Sequence, residues 1–184
     1  MLNESDIEQL RRTAWDAIEF GVCNSHRGLR VKPGEYSPAL QSRAASFVTL
    51  RDGEALRGCM GNLSAETSLV EDVAKNANNA AFHDPRFDPV RPEEVERLNL
   101  KLSVLSKPEP FPVDSEADLL SRLQPGADGI ILKESGRRAT FLPSVWEMVS
   151  TPAEFIAQLK RKAGLPEDYW SDTIEIQRYH ADEY

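Results

Sequence analysis

Two short turn signals, Asp52-Gly53 and Ser135-Gly136, each lie between segments of strand character, and they constrain this chain more than any other feature. Residues that tolerate positive φ at such a point join strands that run in opposite directions. Residues 46–50 and 55–60 flank the first turn, and residues 128–133 and 137–142 flank the second. Further strands are expected at 100–104, where apolar and polar residues alternate, and at 173–177. Strands that arrive as hairpins separated by helical patterns, not in strict βαβ order, predict an α+β fold with a largely antiparallel or mixed sheet flanked by helices.

The helices announce themselves by their starts. Ser5-Asp6-Ile7-Glu8 and Ser68-Leu69-Val70-Glu71 both have the S-x-x-E form of a capping box, and Thr151-Pro152-Ala153-Glu154 adds proline at the first helical position. Behind them follow Leu10, Ala14, Ala17 and Ile18; Val70, Val73, Ala74 and Ala77; and Phe155, Ile156 and Leu159, all at helical spacing. A shorter helix is expected at 115–123. Asn76, Asn78 and Asn79 crowd the second helix, where asparagine is a poor interior residue, so they are either frayed or in use. Lys160-Arg161-Lys162 reads as a basic last turn that complements the helix dipole. Residues 23–45, rich in Gly, Pro, Ser and Asn, are expected to form a small second lobe within one domain that spans residues 1–184.

Composition narrows the partners. With 22 Lys and Arg against 30 Asp and Glu, the formal net charge is -8, and the basic residues are scattered, so nucleic-acid binding fits poorly. No apolar run approaches the ~18 residues of a membrane span. The start of the chain has neither a basic nor an apolar leader, and two cysteines are too few for a disulfide framework, which together predict a reducing cytoplasm.

Chemistry concentrates in Leu56-Arg57-Gly58-Cys59-Met60-Gly61. Alternation along a strand puts Arg57 and Cys59 on one face, and a cation beside a thiol favours the thiolate. The opposing reading is a small buried cysteine chosen for fit; Cys23, at the end of the first helix, reads as a core residue. His83 is a candidate base for Cys59, or else an exposed loop histidine. Asp84 and Arg86 are either an intraloop ion pair that stiffens a turn and anchors Phe87, or ligand contacts. Arg57 with Arg86 would make a fork for a phosphate or carboxylate. Gly58 and Gly61 either let a ligand approach the backbone or only bend the hairpin end. No Cys/His pair shows metal-ligand spacing, and no cofactor is implied.

The hexapeptide 56–61, Ala81-Phe82-His83-Asp84-Pro85-Arg86-Phe87, Ala139-Thr140-Phe141-Leu142-Pro143 and Ile176-Gln177-Arg178-Tyr179 together closely resemble the AMMECR1 domain family. The match runs over nearly the whole chain. Its most specific element is the LRGCIG-type motif, from which this sequence departs by Met60 in place of isoleucine. The resemblance implies a two-lobed α+β fold with motif residues gathered at a groove between lobes, and it carries Arg57, Gly58, Cys59, Gly61, Asp84, Arg86 and Phe87 over as motif positions. It also implies company with a Memo-like protein and a radical-SAM protein, and supplies no reaction.

Two functional expectations follow. The first is a binding or accessory module whose inter-lobe groove, lined by Arg57, Cys59, Asp84 and Arg86, holds an anionic small molecule or a partner's peptide segment. The second is a thiol-dependent enzyme with Cys59 as nucleophile and Arg57 activating it.

Overall fold

In the computed structural model, which describes residues 2–184, the Asp52-Gly53 turn closes a hairpin between β1 (Ala45–Asp52) and β2 (Ala55–Gly61), with Gly53 at φ +59°. β1 also pairs antiparallel with β3 (Leu98–Leu105), and the chain end returns as β8 (Ala181–Glu183) to complete a sheet of order β2-β1-β3-β8. Leu102 and Tyr184 exchange N–H···O bonds of 2.9 Å at that last seam. β2 is therefore an edge strand.

Helix α1 (Glu4–Cys23), the single turn α2 (Pro38–Gln41) and α3 (Leu69–Phe82) accompany this sheet. The stripe read from the sequence of α3 is buried on Val48, Leu50, Leu100 and Leu102 of the sheet, and α1 adds Leu10, Ala14, Ala17 and Ile18 to the same core. The Glu71 carboxylate accepts from the backbone N–H and hydroxyl of Ser68, so the second capping box forms. The first does not. The cap of α1 is Asn3, whose side chain accepts from the Asp6 N–H (2.9 Å), two residues before the expected Ser5, because Asp6 reaches back to close a box of its own.

Residues 23–45 do not make a lobe. Leu29, Val31, Tyr36 and Leu40 join the core just described, which ties the segment to the first of two compact units. That unit holds residues 2–105 and Asp182–Tyr184; the second is Ser106–Ala181. Cys23 departs from expectation as well, since it is exposed.

The second unit has its own sheet, of order β4-β7-β5-β6, built from β4 (Glu109–Pro110), β5 (Gly129–Glu134), β6 (Arg137–Phe141) and β7 (Glu175–Tyr179). Ser135 and Gly136, at φ +48° and +77°, turn β5 into β6 as the sequence predicts. Helices α4 (Glu116–Arg122) and α5 (Pro152–Lys162) are capped by Ser115 and Thr151, and Phe155, Ile156 and Leu159 fill a core with Trp146, Ile130 and Leu132. One residue of the basic last turn of α5 behaves unexpectedly. Lys160 is fully buried, and its ammonium donates to Glu116 Oε1 (2.8 Å) and to the Tyr169 carbonyl (3.1 Å).

A buried charge that loses its counter-ion is far more costly than one replaced together with it. Glu116→Ala is expected to lower the stability of the second unit by about 3 kcal/mol in urea unfolding, and adding Lys160→Met to that variant is expected to recover most of the loss. A double variant no more stable than Glu116→Ala alone would count against the pairing.

Candidate functional site

The candidate residues all lie in the first unit, around the edge strand β2. Register decides which way they face. Leu50 lies opposite Gly58 and Val48 opposite Met60, on the side covered by α3, whereas Thr49 and Cys59 lie opposite each other on the other face. A Cβ at Gly58 would sit 2.0 Å from the Ala80 carbonyl oxygen of α3, and one at Gly61 would sit 2.3 Å from the Phe47 ring. Protein atoms thus fill the space next to both glycines; close packing of helix and ring on the strand requires them.

That close approach of α3 brings the loop after its C-terminus to the strand's open edge. The Cys59 N–H donates to Asp84 Oδ2 (2.9 Å), and Arg86 Nη2 donates to the Cys59 carbonyl (3.2 Å). Arg86 in turn grips Asp84 with Nε to Oδ1 (2.9 Å), Nη2 to Oδ2 (2.7 Å) and its backbone N–H to Oδ1 (3.1 Å). Carboxylate and guanidinium together do what a further strand would do, pairing the free N–H and C=O of an edge residue. Asp84 is buried and Arg86 is 54% exposed. The Arg86 side chain holds the Asp84 carboxyl well below the usual carboxylate range; burial opposes this, and the Cys59 N–H adds to it. Asp84 in return raises Arg86.

Cys59 is half-buried, and its sulfur accepts from the Thr49 hydroxyl at 3.3 Å. The cation beside it is Arg86, not Arg57. Leu50 pairs with Gly58 while Arg51 pairs with Leu56, so Arg57 is the extra residue of a β-bulge, where alternation is interrupted. Its guanidinium donates to Glu94 through Nε (2.9 Å) and Nη2 (3.2 Å), and to the Asp88 carbonyl through Nη1 (2.9 Å). The Arg57 side chain is the first cause that lowers the Glu94 carboxyl, with burial opposing. The expected fork of Arg57 and Arg86 is not assembled, because each arginine is committed to its own carboxylate. His83 caps α3 and is exposed, and among the described residues no hydrogen bond joins it to Cys59.

Sequence reasoning missed a buried polar network beside this corner. Asp72 accepts from the Ser46 N–H (2.8 Å) and hydroxyl (2.7 Å), from Asn62 and from Asn76, and Asn76 also donates to the Ser46 carbonyl (3.0 Å). The signal was present in Asn76 and Asn78 of α3, which are in use and not frayed, whereas the Asn79 side chain makes no hydrogen bond among the described residues. Asn78 likewise donates to the carbonyls of His26 and Arg27. Among the described residues no three of His, Cys, Asp or Glu converge as a metal-ligand set, and no helix is long and apolar enough to cross a membrane.

A family profile described as AMMECR1 matches residues 12–184. A protein of Methanothermobacter thermautotrophicus is 36% identical over 182 residues, covering 98% of this chain and 94% of its own length. One of Thermotoga maritima is 38% identical over 162 residues, with 85% and 87% coverage. The crystal structure of an uncharacterized protein from Pyrococcus horikoshii superposes with a TM-score of 0.83 at 30% identity, over 99% of this chain and 92% of that one.

Two outcomes follow from the packing and the ion pair. Gly58→Ala is expected to cost about 3 kcal/mol, because the helix must move from β2 to make room for one methyl. The Asp84 carboxyl titrates lower in the folded state than in the unfolded chain, so the folded state binds fewer protons. Its contribution is therefore complete above the unfolded value of about 3.9 and is lost as pH falls below it, toward the depressed folded value. Asp84→Asn is expected to lower stability at pH 7 and to flatten the slope of stability against pH below about 4. Parallel acid limbs in the two proteins would show that Asp84 does not titrate as described.

Proposed function

The chain belongs to the AMMECR1 family, and from that premise we propose that it is a binding module in which the Arg86 and Cys59 corner of β2 receives an anionic group of a small molecule or of a partner's peptide segment. One observation carries this reading. Arg86 spends Nε and Nη2 on Asp84 and on the Cys59 carbonyl, while Nη1 makes no hydrogen bond among the described residues and the side chain is half exposed. A guanidinium whose Nε and Nη2 are fixed and whose Nη1 is free is preorganised to donate to an oxygen of a carboxylate or a phosphate, since little rotamer freedom remains to be lost on binding. The half-exposed thiol and the Thr49 hydroxyl lie next to it and offer a weak donor and a weak acceptor. The partners implied by the family resemblance, a Memo-like and a radical-SAM protein, are the first candidates to supply such a segment.

A thiol-dependent reaction is less well supported. It requires a base within reach of the sulfur, and the side chain bonded to Cys59 is a threonine hydroxyl.

The local field is read by comparing an anionic with a neutral thiol reagent. In a Cys23→Ser background at low ionic strength, Cys59 is expected to react with iodoacetate, relative to iodoacetamide, about threefold faster than it does in Arg86→Gln. Arg86→Lys, which keeps the charge, should retain part of that preference. An unchanged ratio in Arg86→Gln, with the fold intact by circular dichroism, would remove the anion site.

A further inference from the structure

A second surface of the first unit has no part in the corner around Cys59. After α1 the chain turns back through two left-handed residues, Ser25 (φ +53°) and His26 (φ +65°). His26 stacks on Phe82 at 4.6 Å between ring centroids, and Asn78 donates to the carbonyls of His26 (3.3 Å) and Arg27 (3.2 Å). From there residues 27–32 run over α3 without helix, turn or bend. Leu29 and Val31 anchor this strap by packing against the core. Among the described residues, no hydrogen bond within the chain engages any backbone N–H or C=O of residues 28–31. An open cleft of about 490 Å³ lies between the strap and the α3 residues Glu71, Lys75, Asn78 and Asn79.

Charge identifies the occupant. The chain as a whole carries -8, yet Arg30 and Lys75 line this cleft and neither forms an ion pair among the described residues. The one acid on the cleft wall, Glu71, is committed to capping Ser68. A straight backbone fixed at one end, with its hydrogen-bonding groups unused, is what an added β-strand pairs with, and the cationic rim selects an acidic one. We propose that residues 28–31 and the adjoining face of α3 form a docking site for an extended acidic segment of a partner protein, which adds as a strand along the strap. Main-chain bonds supply the affinity, and Arg30 and Lys75 select the sign of the charge.

The probe is a fluorescein-labelled synthetic peptide of about eight residues that alternates valine and glutamate, long enough to span the ~13 Å of four extended residues. Saturable binding to the full chain is expected, with amide chemical-shift changes at residues 28–31. Arg30→Glu with Lys75→Glu should weaken it at least about tenfold, as should a valine-glutamine peptide of the same length. A peptide N-methylated at alternate backbone nitrogens should also lose binding, which separates strand addition from simple charge attraction. The proposal is overturned by an absence of saturable binding, by equal binding of the N-methylated peptide, or by shift changes located elsewhere. It is equally overturned if a short single-stranded DNA competes as well as unlabelled peptide, since the surface would then be a general polyanion site.

Discussion

The contact between Gly58 and the Ala80 carbonyl sets the geometry of everything around Cys59. With a hydrogen in place of a side chain, β2 admits the last turn of α3 against its backbone. The helix then ends at Phe82, and Asp84, two residues later, falls within 2.9 Å of the Cys59 N–H. A helix held farther away by one methyl group would leave the carboxylate short of the strand. The edge of β2 would then present an unpaired N–H and C=O to any passing strand, the liability that edge strands carry. Packing at one glycine and pairing of one edge residue are thus a single constraint.

The corner is built from several levels of interaction with different ranges. The Ala-rich stripe of α3 and the apolar face of β1 place the helix to within its close-packed contact distance. The Asp72, Ser46 and Asn76 network then fixes the start of β1 to the same helix through bonds that lie out of water, where each is costly to leave unmade. The Asp84 and Arg86 pair comes last and is the most exposed of the three, but it tolerates exposure because Arg86 makes three charge-assisted contacts to one carboxylate.

What the sequence made legible was local in origin. The hairpins at Asp52-Gly53 and Ser135-Gly136, the caps at Ser68, Ser115 and Thr151, and the apolar stripes all depend on residues within a few positions of one another, and they form where the pattern puts them. The α+β class and the match to the AMMECR1 family follow from such patterns. What was not legible depends on partners distant in sequence. Arg57 looked like the activator of Cys59 because ideal alternation put the two on one face, but a bulge interrupts that alternation and Glu94, 37 residues on, claims the guanidinium. Lys160 read as part of a basic last turn that complements the helix dipole, yet its partner Glu116 lies 44 residues away and takes it into the core. The strand β8 is three residues long and exists only because β3 offers it an edge.

Pairing within the corner also limits how an anion can be recognised there. Asp84 stays ionised far below neutral pH, so Arg86 and Asp84 together carry no net charge, and the chain around them is negative overall. Long-range attraction is therefore weak, and a Debye length of roughly 8 Å at physiological salt screens most of what remains. What Arg86 offers is directional: the N–H groups of Nη1, on a plane whose Nε and Nη2 are pinned to Asp84 and the Cys59 carbonyl. Selection at such a site rests on whether an oxygen of the incoming carboxylate or phosphate can approach along the N–H directions of Nη1, more than on its charge. An acidic segment that approached without that alignment would meet the repulsion of the whole chain and gain little in return.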